Sequence, residues 1–272
     1  MQAMNAAPRD DSEYEERTMG VSSSPAGAAE PALPGRRRSA PSGGSAAHEV
    51  ASVGAFIFDM DGTMIDSMPW HAKSWVEFAR QHKIDIEVGE LLRRTTGRTG
   101  AECMQDLFGR EMTSAESWEL VHAKETIYRE LFGPVFCEVA GFKQFANLAR
   151  AQGLKVGVGT AGDKHNIAFA LERLQMNPAP HAVVGGDEGL PGKPEPAIFM
   201  EAARRMNIAP AHCIVFEDAP FGIEAARRAG MRAVAICTSH RAEELAGPHV
   251  IASVRDYTEL MNNNFLGNLH AA

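Results

Sequence analysis

The chain has 272 residues, of which 44% are hydrophobic, 7% aromatic and 23% charged, a core-forming composition long enough for one large domain or one domain with an insertion. Its 27 Lys and Arg against 35 Asp and Glu leave a formal net charge of -8, which argues against sequence-blind nucleic-acid binding, since that needs a basic footprint to displace phosphate counterions. No apolar stretch is long enough to span a bilayer. The four cysteines (Cys103, Cys137, Cys213, Cys237) are scattered and form no C-x-x-C pair, which disfavours a zinc ribbon or disulfide scaffold and fits a reducing, cytoplasmic compartment.

Residues 1–50 are rich in Ala, Ser, Gly, Pro and charge, contain no Ile, Phe or Trp, and show no apolar periodicity. Such a segment cannot bury enough surface to offset its conformational entropy and is expected to be a disordered tail. Its acidic run Asp10, Asp11, Glu13, Glu15, Glu16 and its lack of an apolar h-region argue against an organellar or secretory signal, and Arg36-Arg37-Arg38 reads as solvated charge. Order is expected to begin at Gly54–Phe58, a continuous apolar run that suits a strand buried on both faces. Residues 69–138 then read as helices and loops only, with Ala72, Trp75, Val76 and Ala79 at helical spacing and two capping boxes, Thr99-x-x-Glu102 and Thr113-x-x-Glu116.

Alternation follows. Phe142, Phe145, Ala146 and Ala149 predict a helix stopped by Gly153, and 154–158 and 182–184 predict strands. Phe199, Ala202, Ala203 and Met206 predict a second helix, 213–216 a strand, and Gly230 a helix stop before a last strand at 232–236. The pattern predicts a doubly wound parallel-sheet α/β core built from 51–68 and 139–272, with 69–138 inserted as a helical cap. No heptad or apolar seam marks an oligomer interface, so a monomer is favoured.

The first strand runs directly into FIFDMDGTMID, placing Asp59 and Asp61 beyond its carboxyl end, where open α/β sheets hold ligands. Three later strands also run into polar groups: Thr160 in VGVGTAG, Lys193 in GKPEPAIF, and Glu217-Asp218 in IVFEDAPFGIEAARRAG. Asp59, Asp61, Glu217 and Asp218 offer only oxygens, the ligand type of hard Mg²⁺, and four crowded acids need a dication to stay ionised. The chemistry this suits is phosphoryl transfer. One carboxylate attacks phosphorus and a second exchanges protons with leaving group and water. Thr160 donates to a phosphoryl oxygen, Lys193 brings a compact positive charge, and the helix beginning after Ala161-Gly162 adds backbone N–H groups.

This ordered set, Asp-x-Asp-Gly-Thr, Thr, Gly-Lys-Pro and Glu-Asp, resembles the haloacid dehalogenase superfamily over residues 54–260, and the insertion after the first motif resembles the cap of its β-phosphoglucomutase-like subfamily. The resemblance implies that Asp59 is the nucleophile and Asp61 the acid/base. It also implies that the Asp61 backbone carbonyl joins Asp59 and Asp218 around Mg²⁺, with Glu217, and that Thr160, Ala161 and Lys193 hold the phosphoryl group.

Among relatives, the dehalogenases lack the second aspartate, and the phosphonate-cleaving members need a cap lysine of depressed pKa, which Lys124 beside Glu125 does not suit. Phosphatases of small phosphorylated metabolites and hexose-phosphate mutases remain. Arg98, in TTGRTG, resembles the mutases' cap arginine; the alternative is that it binds a substrate's only phosphate or a carboxylate. Lys124 resembles a cap lysine of that group, the alternative being a helix-surface charge, and His71 either orients the acid/base or packs at the hinge. The run Gly62-Thr63-Met64, where the mutases usually carry Val after the glycine, and Ala161-Gly162 after Thr160 depart from the mutase pattern and favour a sugar-phosphate phosphatase. A receiver domain, which also gathers aspartates, Thr and Lys, has no such helical insertion, and a silent phosphate-binding protein would not need every catalytic position filled by a competent residue.

Overall fold

Four consecutive buried residues, Ala55–Phe58, form β1 at the middle of the sheet. The computed structural model of the protein describes residues 52–95 and 100–269; the expected disordered tail, Arg98 and Thr99 of the first capping box lie outside the described residues. After β1 come α1 (Met68–Gln81), α2 (Val88–Thr95), α3 (Gly100–Phe108) and α4 (Ser114–Phe132). Then α5 (Phe142–Ala151), β2 (Lys155–Gly159), α6 (Lys164–Leu174), β3 (Ala182–Val184) and α7 (Ala197–Met206) alternate. The described chain closes with β4 (Cys213–Glu217), α8 (Pro220–Arg228), β5 (Arg232–Ile236), β6 (Val250–Val254), α9 (Tyr257–Asn262) and the short α10 (Phe265–Asn268).

The sheet is parallel throughout, in the order β3-β2-β1-β4-β5-β6. Central strands are covered on both faces, which is why they read as unbroken apolar runs rather than alternating ones. On one face Phe56, Phe58, Val156, Val158, Ile214 and Phe216 pack against α5 and α9. On the other, Ala55, Ile57, Val184 and Val215 pack against α7 and α8. Gly153 and Gly230 follow α5 and α8 with φ of 85° and 70°, the left-handed conformation that ends a helix. β6 is the strand that the apolar-run criterion overlooks. It lies at the sheet edge, Ile251 is exposed, and a bulge at Ala233/Val234 shifts its pairing with β5.

The four inserted helices carry a core of their own, made by Trp75, Phe78, Ala79, Leu91, Cys103, Met104 and Ile127. The buried stripe of α1 runs through Ser74, Trp75, Phe78 and Ala79, leaving Ala72 and Val76 half-buried. Helix α4 starts on the expected capping contact, the Glu116 amide donating to Thr113 Oγ1 at 3.2 Å. Its far end leaves the cap, with Tyr128 and Phe132 fully buried in the cluster under the sheet. One helix is thus shared between the core of the inserted helices, through Ile127, and the cluster on one face of the sheet.

Candidate active site

The site begins where β1 stops. Phe58 pairs with Phe216, and the Asp59 amide extends the ladder by donating to the Phe216 carbonyl at 3.0 Å, which brings Asp59 level with Glu217 and Asp218. The chain then turns tightly, with the Met60 carbonyl accepting from the amides of Thr63, Met64 and Ile65. Gly62 holds the turn at φ 75°, and a Cβ there would collide with Asp218 Oδ2.

Lys193 reaches into the acids. Its Nζ lies 2.5 Å from Asp59 Oδ1 and 2.7 Å from Glu217 Oε1, all three groups being buried. Burial works against the ammonium, but the two carboxylates outweigh it and hold Lys193 above its ordinary value. Burial also pushes Asp59 well above the usual carboxylate range, with Lys193 opposing and Glu217 and Asp218 adding to the rise. Asp218 is pushed up to about 7, by burial first and then by Glu217. The Asp218 Oδ1 accepts from Thr63 Oγ1 at 3.4 Å, whereas Oδ2 is buried without a hydrogen-bond partner.

These observations bear on a cation. An orphaned buried oxygen, a glycine cleared for its approach, and two carboxyls driven toward protonation describe anionic oxygens short of positive charge. Asp59 and Asp218 therefore fit a hard divalent ion. Glu217 does not face the same way, because Lys193 takes Oε1 and the Ala219 amide donates to Oε2 at 2.8 Å. Among the described residues no three His, Cys, Asp or Glu side chains are grouped to hold a metal; the oxygen-only donors of Asp59 and Asp218 are the ligand type of Mg²⁺, which takes few protein ligands and keeps several waters.

Asp61 sits in a different environment. Its Oδ1 accepts from Ser67 Oγ at 2.7 Å, from His71 Nε2 at 3.1 Å and, more weakly, from Tyr128 OH at 3.4 Å. Burial works upward, but His71 and Ser67 outweigh it and leave the carboxyl below its ordinary value. His71 stacks on Tyr128 with ring centroids 3.8 Å apart, and Lys124 Nζ lies 2.9 Å from His71 Nδ1. An ammonium has only protons to give, so Nδ1 accepts and the imidazole proton sits on Nε2, directed at Asp61. Lys124 is 3% exposed, so it is no surface charge. It also donates to Glu125 Oε1 at 2.9 Å.

Thr160 is buried at the end of β2, and its Oγ accepts from the Gly162 amide at 3.0 Å, leaving the hydroxyl proton to donate. Ala161 is exposed in the turn that follows. A Cβ on Gly162 would lie 3.7 Å from Asp61 Oδ2, so this turn faces Asp61. The start of α6 differs from expectation. The Asp163 carboxylate caps it, accepting from the His165 and Asn166 amides at 2.9 and 2.8 Å, so those two N–H groups are already used.

Residues 53–230 match the haloacid dehalogenase-like hydrolase family. The chain belongs to that family. Validoxylamine A 7'-phosphate phosphatase of Streptomyces hygroscopicus subsp. limoneus is 32% identical over 205 residues, covering 75% of this chain and 94% of that protein. β-Phosphoglucomutase of Bacillus subtilis is also 32% identical, over 67% of this chain and 82% of its own. The crystal structure of a haloacid dehalogenase hydrolase of family IA, variant 3, from Entamoeba histolytica superposes with a TM-score of 0.72 at 22% identity, over 80% of this chain and all of that one. It shares the fold.

Several residues of this hydrolase site carry no motif signal. Ser67, Tyr128 and Asn166 come to the site only through the turn after β1 and the packing of α4 on α6. Thr238 Oγ1 donates to the Gly62 carbonyl at 2.5 Å, and His240 Nδ1 donates to the Asp218 carbonyl at 2.9 Å, both from the loop after β5. Nothing in their local sequence distinguishes them from surface polar residues.

Proposed function

We propose that this hydrolase is a Mg²⁺-dependent phosphatase of a small phosphorylated metabolite, a sugar phosphate by class, acting through an aspartyl-phosphate on Asp59. The observation that carries the reading is the division between Asp59 and Asp61. Two carboxylates two residues apart have opposite surroundings, one held by an ammonium among other acids, the other by a histidine and a hydroxyl. Environments that push two acids apart assign them different tasks.

Asp59 Oδ2, the oxygen that Lys193 does not hold, attacks phosphorus. Contacts with His71 and Ser67 hold Asp61 ionised in the free protein, so it first takes up a proton, which the monoprotonated form of a phosphate ester brings. Its Oδ2, the oxygen free of Ser67 and His71, then gives that proton to the leaving oxygen and later takes one from water. Thr160 Oγ and Lys193 Nζ stabilise the equatorial phosphoryl oxygens. Asp59, Asp218 and the Asp61 carbonyl would hold Mg²⁺, with Glu217 anchoring Lys193. Bound Mg²⁺ supplies charge neutralisation among the carboxylates and polarisation of a phosphoryl oxygen.

The equal identity to a named mutase supports a second reading, in which a bound sugar phosphate rather than water accepts the phosphoryl group. Thr63 after Gly62 and the Thr160-Ala161-Gly162 segment favour water. The scattered placement of the four cysteines in the sequence supports a cytoplasmic setting, and no helix among the described residues is long and apolar enough to cross a membrane. The test is phosphate release from a panel of sugar phosphates with Mg²⁺ and with EDTA. Metal-dependent release supports the reading, and none from any ester overturns it. Conversion of β-glucose 1-phosphate to glucose 6-phosphate with a trace of the 1,6-bisphosphate, without phosphate release, establishes the mutase instead.

A further inference from the structure

Beyond Lys124 the polar chain continues into residues that the proposed chemistry does not use. Glu125 is the next residue on α4, and its side chain is 16% exposed. Both of its oxygens are committed. Oε1 accepts from Lys124 Nζ, and Oε2 accepts from Asn166 Nδ2 at 2.8 Å. Asn166 is 4% exposed in the first turn of α6, and its Oδ1 accepts from Arg129 Nη1 at 2.7 Å. Arg129 stands one turn after Glu125 on α4 and also donates to Thr126 Oγ1 at 2.9 Å.

The chemistry of each position is narrow. A side-chain amide is neutral and can donate at one end while accepting at the other, so Asn166 alone can bridge a carboxylate and a guanidinium of the same helix. Charges alternate along the path, from Asp61 through His71 to Lys124, Glu125 and, across Asn166, Arg129. Lys124 is buried and Asp61, Glu125 and Arg129 are half-buried, so each leans on its neighbour. Lys124 has a rotamer-rich stem whose ammonium also faces the Trp75 and Tyr128 rings at 5.0 and 5.8 Å, and Glu125 adds the directional, charged contact that fixes where it points. The path also joins two elements that flank the site: α4, which spans cap and core, and α6, whose preceding turn carries Thr160.

We propose that Glu125, clamped between Lys124 and Asn166, is a positioning residue for Asp61. It fixes the Lys124 ammonium on His71 Nδ1, which keeps the His71 proton on Nε2 and so keeps Asp61 turned to hand its proton to the leaving group. Asn166 and Arg129 tie that arrangement to the start of α6. The inference rests on the phosphatase reading, and it makes a demand that a merely structural ion pair does not.

The demand is on leaving groups. Transfer of the phosphoryl group to Asp59 expels phenolate from phenyl phosphate only with difficulty unless Asp61 supplies a proton, whereas 2,4-dinitrophenolate leaves unaided. The two esters are to be compared by kcat/KM, which reports the transfer step, with Mg²⁺ present, for wild type, Glu125→Gln and Asn166→Ala, alongside melting temperatures. Both variants are expected to lose about ten-fold or more on phenyl phosphate, within the span that general-acid catalysis supplies, and less than about two-fold on the dinitrophenyl ester. Glu125→Asp, too short to span Lys124 and Asn166, falls between Glu125→Gln and wild type. Equal losses on both esters, or no loss on phenyl phosphate, overturn the proposal. A wild-type enzyme that releases phosphate from neither of these esters nor from any sugar phosphate overturns the phosphatase reading and the inference with it; wild-type turnover with leaving-group-blind variants removes only the inference.

Discussion

Lys193 and Asp59, 134 residues apart in the chain, form a buried ion pair of 2.5 Å in which the lysine is also bound to Glu217. One ammonium thus holds a nucleophile candidate and a neighbouring acid in place. Lys193→Met should leave both carboxylates buried without their counter-charge, at a cost of about 3–5 kcal/mol. Thermal melts of the metal-free protein measure it, and an unchanged melting temperature would show that the pair holds nothing together. The same variant should lose phosphate release even when Mg²⁺ is saturating.

Asp59→Asn removes the attacking charge while keeping a group of the same shape. Turnover of any ester that wild type accepts should fall at least about 10³-fold. Far-UV circular dichroism should be unchanged, and retained turnover would sink the assignment of Asp59.

Stability of the metal-free protein should depend on pH with a definite sign. The Asp218 carboxyl rises from an ordinary 3.8 to about 7 in the fold, through burial and Glu217, and Asp59 moves the same way. The folded state therefore keeps protons that the unfolded chain releases, and its stability is fullest below about 4 and declines as pH rises through about 7. In EDTA the melting temperature should be lower at pH 8 than at pH 5. Added Mg²⁺, which binds the ionised carboxylates of the folded state, should raise the pH 8 value. A melting temperature that climbs from pH 5 to pH 8 in EDTA contradicts this.

Gly222, on α8, sits so close to Glu217 that a Cβ there would collide with the carboxylate that anchors Lys193. The collision involves a buried side chain already committed at both oxygens, which leaves it little room to move. Gly222→Ala should lower kcat by at least about ten-fold and cost about 1–3 kcal/mol of stability, the usual range for overpacking. Wild-type kinetics in this variant would mean that Glu217 does not set the position of Lys193.

Phe216 tests the scaffold rather than the chemistry. Its ring lies 4.9 Å from Phe56, 4.6 Å from Phe58 and 5.5 Å from Phe145, centroid to centroid. Phe216→Ala should cost about 3–5 kcal/mol, measured by urea unfolding. A loss under about 1 kcal/mol would mean that the neighbouring rings collapse into the gap.

The central strands were legible because burial on both faces leaves nothing but apolar residues, and the acids after Phe58 and Phe216 stood out against those runs. β6 was not, because an edge strand with Ile251 in solvent lacks that contrast. The orientation of Glu217 was also hidden: adjacent acids look alike in sequence, and only the fold turns Glu217 to Lys193 and leaves Asp218 Oδ2 without a partner. Asp163 reads as one more polar loop residue until its carboxylate is seen to occupy the helix amides expected for phosphate. Lys124 was visible as a charge, but its burial depends on α4 lying against α1, a contact between segments far apart in the chain.

The register between β1 and β4 works as a ruler. Adjacent strands stand roughly 4.8 Å apart, and the pairing of Phe58 with Phe216 makes that interval the one across which Asp59 meets the acids after β4. A slip of one residue would turn the side chains to the opposite face and dismantle the site, yet the segment between α1 and α4 can be rewritten without moving that mark. The spacing of the acids is therefore held by backbone hydrogen bonds of the sheet rather than by the side chains of the site itself.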